Sequence, residues 1–193
     1  MDEPPPAPDP NDASVLLQQA DALFKEKRYQ EALAWYELTI ALEPTNAAAH
    51  AGRGASLGNL DQHEAALLAH RRALALDPND LRAMRNEGVT LNNLKRYEEA
   101  LGVDVHVLQL NPNDGEVLHR VVHLLMDLQR YQEALAVCER AIRLSPDEAG
   151  LYSDKGFLLG ALWQPEEALQ SLGRAITLNP RLATAYRTAP RFS

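Results

Sequence analysis

The sequence predicts an all-α protein made of repeated helical hairpins. Five prolines lie 34 residues apart, and each closes one copy of the repeat: Pro44, Pro78, Pro112, Pro146 and Pro180. An Ala-Leu pair stands at the same place in every copy: Ala32-Leu33, Ala66-Leu67, Ala100-Leu101, Ala134-Leu135 and Ala168-Leu169. A fixed period of this length is typical of repeat arrays in which neighbouring copies share a continuous core.

The period divides the chain into five repeats between two short terminal segments. The predicted repeats are 13–46, 47–80, 81–114, 115–148 and 149–182. Residues 1–12 are rich in proline, which cannot take part fully in helix or sheet hydrogen bonding, so they are predicted to be a disordered leader. Residues 183–193 begin a sixth helix that Pro190 would end, and they are predicted to be a short capping stub.

Each repeat is predicted to hold two antiparallel helices joined by a tight turn. In the first repeat these are Ser14–Lys27 and Tyr29–Leu42, with Asp12 or Asn11 as the expected N-cap. The first helices share one apolar position: Leu23, Leu57, Leu91, Leu125 and Leu159. In the second helices the Ala of the Ala-Leu pair, the residue seven places later and a leucine ten places later are expected to share one packing face.

Composition narrows the possible functions. The chain carries 27 acidic and 19 basic residues, a net charge of −8, which argues against a general binder of nucleic acids or anionic membranes. Cys138 is the only cysteine, so an intrachain disulfide or a cysteine-rich zinc site is excluded. No apolar run approaches the ~20 residues of a membrane span. The N-terminal residues do not resemble a signal peptide, and a cytoplasmic location is expected.

The spacing of small residues, Tyr, Ala, Ala and Pro resembles the tetratricopeptide repeat family in all five copies. The resemblance covers residues 13–182. It implies a right-handed α-solenoid of five helix-turn-helix repeats, in which the first helix of each repeat lines a concave groove. It also implies protein–protein recognition as the usual role, with no chemistry of its own.

The family's groove-facing places, carried onto this sequence, indicate a peptide site in the second to fourth repeats. The residues at these places are Ala51, Ala55, Arg82, Arg85, Asn86, Val89, Asn92, Asn93, His119, Arg120 and His123. Arginine pairs with carboxylates in two-point geometry, and asparagine can both donate to and accept from a peptide backbone. The small alanines leave room for a ligand side chain. We therefore expect an extended acidic peptide, or a carboxylate terminus, as the partner.

No metal, cofactor or catalytic site is predicted. His119 and His123 lie four residues apart on one helical face, with Glu116 three residues before them, a spacing that could place two imidazoles on one ion. The glutamate that marks helical metalloproteases is absent between them, and Arg120 would oppose a cation. No nucleophile–base pair, phosphate-binding glycine loop or paired carboxylate occurs in a catalytic context, so we do not expect an enzyme.

Three kinds of function remain compatible with this sequence. The first is an adaptor or scaffold that binds a peptide in its groove. The second is a substrate-recruiting or regulatory module of a larger enzyme, such as a glycosyltransferase. The third is a structural module that assembles with itself. The expected solution state is a monomer or a weak homo-oligomer.

Overall fold

A computed structural model describes residues 12–181, which form ten α-helices and contain no strand. The helices are α1 (Ala13–Lys25), α2 (Tyr29–Leu42), α3 (Ala47–Asn59), α4 (His63–Leu76), α5 (Leu81–Asn93), α6 (Tyr97–Leu110), α7 (Gly115–Asp127), α8 (Tyr131–Leu144), α9 (Ala149–Ala161) and α10 (Pro165–Leu178). Within a repeat the two helices pack as a hairpin, as the pairs α1–α2, α3–α4, α7–α8 and α9–α10 show. The all-α fold class is confirmed. The proline-rich leader and the predicted capping stub lie outside the described residues, apart from Asp12.

One residue in the left-handed conformation forms the turn inside each hairpin. These residues are Lys27, Asp61, Lys95, Gln129 and Trp163, with φ between 57° and 62°. In the first turn the Lys27 N–H donates to the Phe24 carbonyl and the Arg28 N–H donates to the Leu23 carbonyl. These bonds satisfy carbonyl groups that the end of a helix leaves open. Because Lys27 has left the helical conformation, α1 ends at Lys25, two residues earlier than predicted.

A glycine at one of these turns should stabilise the protein. Left-handed backbone costs a non-glycine residue about 1–2 kcal/mol, and glycine's extra freedom in the unfolded chain offsets part of the gain. We expect Lys95→Gly to raise the free energy of unfolding by roughly 0.5–1 kcal/mol, as measured by urea denaturation. Lys95→Ala is the control and should change it by less than about 0.5 kcal/mol. A glycine variant less stable than the alanine variant would contradict this account.

Polar side chains cap the starts of four first helices, and a proline follows the end of the second helix in each repeat. The side chains of Asp12, Asn46, Asp80 and Asp114 accept hydrogen bonds from backbone N–H groups in the first turns of α1, α3, α5 and α7. Each closing proline stands two residues beyond the last residue of a second helix, where the missing N–H breaks no helical hydrogen bond. Of the two predicted caps for α1, the structure shows Asp12 in this role, and Asn11 lies outside the described residues.

The predicted packing face is buried, with one exception. The shared leucines of the first helices are at most 4% exposed, and Ala32, Ala66, Ala100 and Ala134 are fully buried. The prediction fails for the leucine that ends the second helix. Leu42, Leu110 and Leu144 are 41–50% exposed, whereas Leu76 and Leu178 at the same place are partly buried.

The chain forms two compact units, the first ending at Val103 and the second beginning at Asp104. In the first unit, Ala20, Leu23, Ala32, Tyr36 and Ala49 form one core cluster between the first two repeats. In the second unit, Leu118, Ala141 and Leu151 form a comparable cluster. None of the helices in residues 12–181 is long and apolar enough to cross a membrane.

Successive repeats are held in register by contacts between residues 16 positions apart. The second helix of one repeat pairs with the first helix of the next through Glu37–Arg53 at 3.4 Å, Arg71–Glu87 at 3.0 Å and Glu139–Lys155 at 2.7 Å. The Glu37–Arg53 and Glu139–Lys155 pairs are partly exposed, and such pairs contribute only about 0–1 kcal/mol each. The order of the charges reverses at Arg71–Glu87, which distinguishes that junction from the other two.

Candidate functional site

A groove lies between the first helices of the first three repeats. Its cavity measures about 570 Å³, within the usual range for ligand sites. Residues from α1, α3 and α5 form its walls: Asp21, Phe24, Lys25, Gly52, Ala55, Gly58, Asn59, Arg82, Asn86, Val89, Thr90 and Asn93. Tyr36 from α2 and His70 from α4 complete the lining. The α3 wall is nearly bare, because three of its four lining residues are glycine or alanine.

Two rings of the groove lining, those of Tyr36 and His70, occupy the same place in successive repeats. A Cβ atom added at Gly52 would collide with the Tyr36 ring, and one added at Gly54 would lie 2.6 Å from the His70 ring. The glycines of α3 therefore leave the space that these rings fill. The Tyr36 hydroxyl donates to Asp21 Oδ1 at 2.6 Å, which ties α2 to the wall formed by α1.

His70 is neutral at physiological pH. Only 1% of its surface is exposed, and burial lowers its pKa to about 4. Nearby Asp80 raises the pKa and Arg82 lowers it, but burial has the larger effect. The formal charges of the lining at neutral pH are therefore those of Asp21, Lys25 and Arg82. Asp21 accepts the hydrogen bond from Tyr36. The positively charged groups that the lining offers to a ligand are Lys25 and Arg82.

Helix α5 presents a polar stripe to the groove. Arg82, Asn86, Val89 and Asn93 are spaced by three or four residues and so share one helical face. From Arg82 to Asn93 the helix rises roughly 16 Å, about the length of five residues of extended chain. A cation, two amides and an apolar side chain thus line one straight wall.

Five of the residues predicted from the sequence line this groove: Ala55, Arg82, Asn86, Val89 and Asn93. Arg85 and Asn92 are partly buried and do not contribute to the lining of this cavity. The expectation for Ala51 was wrong. Its side chain is 1% exposed and packs in the core with Ala73 and Ala83, so it leaves no space for a ligand.

In the second compact unit, Arg120 holds a buried carboxylate. Its Nε and one terminal nitrogen donate to the two oxygens of Asp104 at 2.7 and 2.6 Å. The arginine side chain is 10% exposed and the aspartate side chain is fully buried. Arg120 was expected to face a ligand carboxylate. This expectation needs correction, because two nitrogens of its guanidinium already donate to the carboxylate of Asp104.

Asp104 was not identified from the sequence as the partner of Arg120, although the position of Asp104 in its repeat indicates that it is buried. It occupies the same place in its repeat as Tyr36, His70 and Cys138, all of which are buried. A charged residue at a place that is otherwise buried requires a partner. Burial raises the pKa of Asp104, and the hydrogen bonds from Arg120 oppose that rise. The equivalent Cys138 is fully buried, and burial raises the pKa of its thiol to about 12.

The two predicted histidines of the second unit converge on a residue that the sequence did not single out. His119 Nε2 and His123 Nε2, both on α7, each lie 3.1 Å from Oδ2 of Asp154 on α9. Burial alone would raise the pKa of Asp154, but the hydrogen bonds from the two imidazoles outweigh it and hold the pKa at about 2. The hydrogen bond to Asp154 raises the pKa of His119.

Three tetratricopeptide repeat models match the sequence, over residues 13–46, 51–114 and 122–192. Together with the ten-helix structure, these matches show that the chain belongs to the tetratricopeptide repeat family, whose fold serves protein–protein interaction. Among curated proteins, no sequence matches this chain significantly.

Solved structures of repeat proteins share this fold. A crystal structure of YrrB, described as a TPR protein with an unusual peptide-binding site, is 23% identical and superposes with a TM-score of 0.83, covering 92% of each chain. MamA from Desulfovibrio magneticus RS-1, beginning at its residue 41, is 19% identical with a TM-score of 0.83, covering 91% of this chain and 98% of its own. At these identities the likeness establishes the fold alone.

Proposed function

We propose that this protein is an adaptor whose first three repeats bind an extended peptide bearing an acidic group. The observation that carries the proposal is the α5 wall of the groove, where Arg82 and three further side chains suited to a peptide share one face. YrrB, with a similar fold, is itself described as having a peptide-binding site. A role in protein recognition is consistent with this lining, and we propose no catalytic role.

Each part of the groove contributes one element of recognition. Arg82 pairs with a carboxylate of the peptide, either a side chain or the terminus. Asn86 and Asn93 hold the backbone, because an amide side chain can match both the N–H and the carbonyl of an extended chain. Ala55 and Gly58 leave space for one apolar side chain, which packs against Val89 and Phe24. Lys25 provides a second cation on the opposite wall.

The test begins with a panel of immobilised ten-residue peptides in which acidic positions are systematically replaced by lysine. We expect the protein to bind acidic members in preference to their lysine counterparts, and binding to weaken with added salt, because exposed charges are screened over ~10 Å at ordinary ionic strength. The strongest acidic peptide is then used in solution titrations. Equal binding of acidic and lysine-substituted peptides, or a preference for lysine, would refute the proposal.

The matched variants are Arg82→Glu and Arg72→Glu. Both reverse one exposed arginine, but only Arg82 lines the groove, whereas Arg72 lies on α4 outside it. Arg82→Glu should weaken binding at least tenfold, about 1.4 kcal/mol, because it replaces an attraction with a repulsion. Arg72→Glu should leave the affinity unchanged within a factor of about two. If the two variants weaken binding equally, net charge rather than this groove determines affinity.

A further inference from the structure

The strongest unexplained feature lies in the second compact unit, where three potential metal ligands meet. The donor atoms of His119, His123 and Asp154 all lie within 4.8 Å of one another. The two imidazole rings are 4.7 Å apart between centroids and stand nearly perpendicular, at 82°. This arrangement turns both Nε2 atoms towards one carboxylate oxygen, Oδ2 of Asp154.

The distances agree with those that a bound ion imposes on its ligands. Zinc binds histidine nitrogen and carboxylate oxygen at about 2.0–2.2 Å, which places tetrahedral ligand atoms roughly 3.3–3.5 Å from one another. Each Nε2 lies 3.1 Å from Asp154 Oδ2, close to this separation. An ion can therefore take the place of the protons that the imidazoles share with the carboxylate.

Neighbouring cations do not oppose an ion at this place. Arg120 follows His119 in the chain, but its guanidinium is held by both oxygens of Asp104. Lys155 follows Asp154, and its ammonium group pairs with Glu139 at 2.7 Å. Each positive charge beside the cluster is thus balanced by its own carboxylate. The repulsion between Arg120 and a bound cation that the sequence suggested is therefore offset by Asp104.

We propose that His119, His123 and Asp154 form a binding site for a divalent transition metal of the zinc class. Two imidazoles and one carboxylate are a donor set that suits zinc, nickel or copper better than magnesium or calcium, which prefer oxygen. The site differs from the Glu116–His119–His123 set considered in the sequence, because Asp154 comes from the next repeat. Bound metal joins α7 to α9.

The site is accessible and leaves a coordination position for a further ligand. The side chain of His123 is 54% exposed and that of His119 is 39% exposed, so an ion enters directly from solvent. Three protein ligands leave at least one position for water or for a carboxylate of a partner. This proposal is independent of the peptide groove, which lies in the first compact unit.

Calorimetric titration of the EDTA-dialysed full chain with zinc chloride tests the proposal. We expect one zinc ion to bind per chain with micromolar or tighter affinity. Loss of even an outer-shell partner of a metal ligand costs about 10–100-fold in affinity, so His123→Gln and Asp154→Asn should each weaken binding at least tenfold. His106→Gln, at an exposed histidine on α6 outside the cluster, is the control and should bind as the parent does.

Two further readouts keep the result decisive. Zinc should raise the melting temperature of the parent and of His106→Gln more than that of His123→Gln at the same zinc concentration, because an ion that binds only the folded state stabilises it in proportion to its affinity. His123 is more than half exposed, so this variant is expected to keep the parent's circular dichroism. Absence of zinc binding by the parent overturns the proposal. Equal binding by Asp154→Asn also overturns it, because the carboxylate is then not a ligand.

Discussion

Replacing Arg120 with methionine is expected to lower the free energy of unfolding by roughly 3–5 kcal/mol, the usual cost of leaving one member of a buried ion pair alone. The reason is the burial of Asp104, which has no exposed side-chain surface and receives both hydrogen bonds from this arginine. Urea denaturation of parent and variant measures the effect. Arg82→Met removes an exposed arginine and is the control, with an expected change below about 0.5 kcal/mol.

A double variant separates the pair's net contribution from the cost of breaking it. In Asp104→Leu/Arg120→Met neither charge remains, so we expect most of the lost stability to return. Leucine is the natural choice, because Leu172 occupies the equivalent place in the fifth repeat. If the double variant is as unstable as Arg120→Met, the loss comes from packing and not from an isolated charge.

The defect in Arg120→Met should also depend on pH. Burial already raises the pKa of Asp104, and loss of Arg120 removes the hydrogen bonds that oppose this rise. A carboxyl group whose pKa is higher in the folded than in the unfolded state favours folding at low pH, and this contribution is lost as pH rises through the folded pKa. The difference in stability between parent and variant should therefore be smaller in acid than at neutral pH. A difference independent of pH would contradict the assignment.

Acidification from pH 7 to pH 5 is expected to cost the protein about 2 kcal/mol at His70 alone, given its folded pKa of about 4 and an ordinary value of 6.5. At a pH between those two pKa values, His70 is protonated in the unfolded state and neutral in the folded state. Stability from this residue is therefore present above pH 6.5 and is lost as pH falls towards 4. The physical cause is burial of the ring against Gly54.

His70→Leu isolates this contribution from other titrating groups. The equivalent place in the fifth repeat holds Leu172, which packs against Gly156 as His70 packs against Gly54, so a leucine is compatible with the hairpin. The measurement is the difference in unfolding free energy between pH 7 and pH 5 for parent and variant. We expect the variant to lose about 2 kcal/mol less than the parent. Equal losses would show that His70 does not titrate on unfolding in this range.

Local order could be predicted from the sequence because each rule concerned residues close together in the chain. Prolines mark the ends of the second helices and the 34-residue period sets the repeats, whereas the left-handed residue that ends α1 early was not predicted. The groove was predicted in part. Arg82, Asn86, Val89 and Asn93 lie on one helix, so helical spacing alone places them on one wall. Tyr36 and His70 reach the groove from second helices, and their contribution depends on glycines of another helix.

The sequence by itself determined the family, the all-α fold and the position of each hairpin, because a repeated local pattern specifies repeated local structure. Only the tertiary structure decided what the charged side chains do. Arg120 donates hydrogen bonds to the buried Asp104, 16 residues earlier in the chain. His119 and His123 contact Asp154, more than 30 residues later. The partner of a charge depends on which helix packs beside it, and the composition of a single helix does not contain that information.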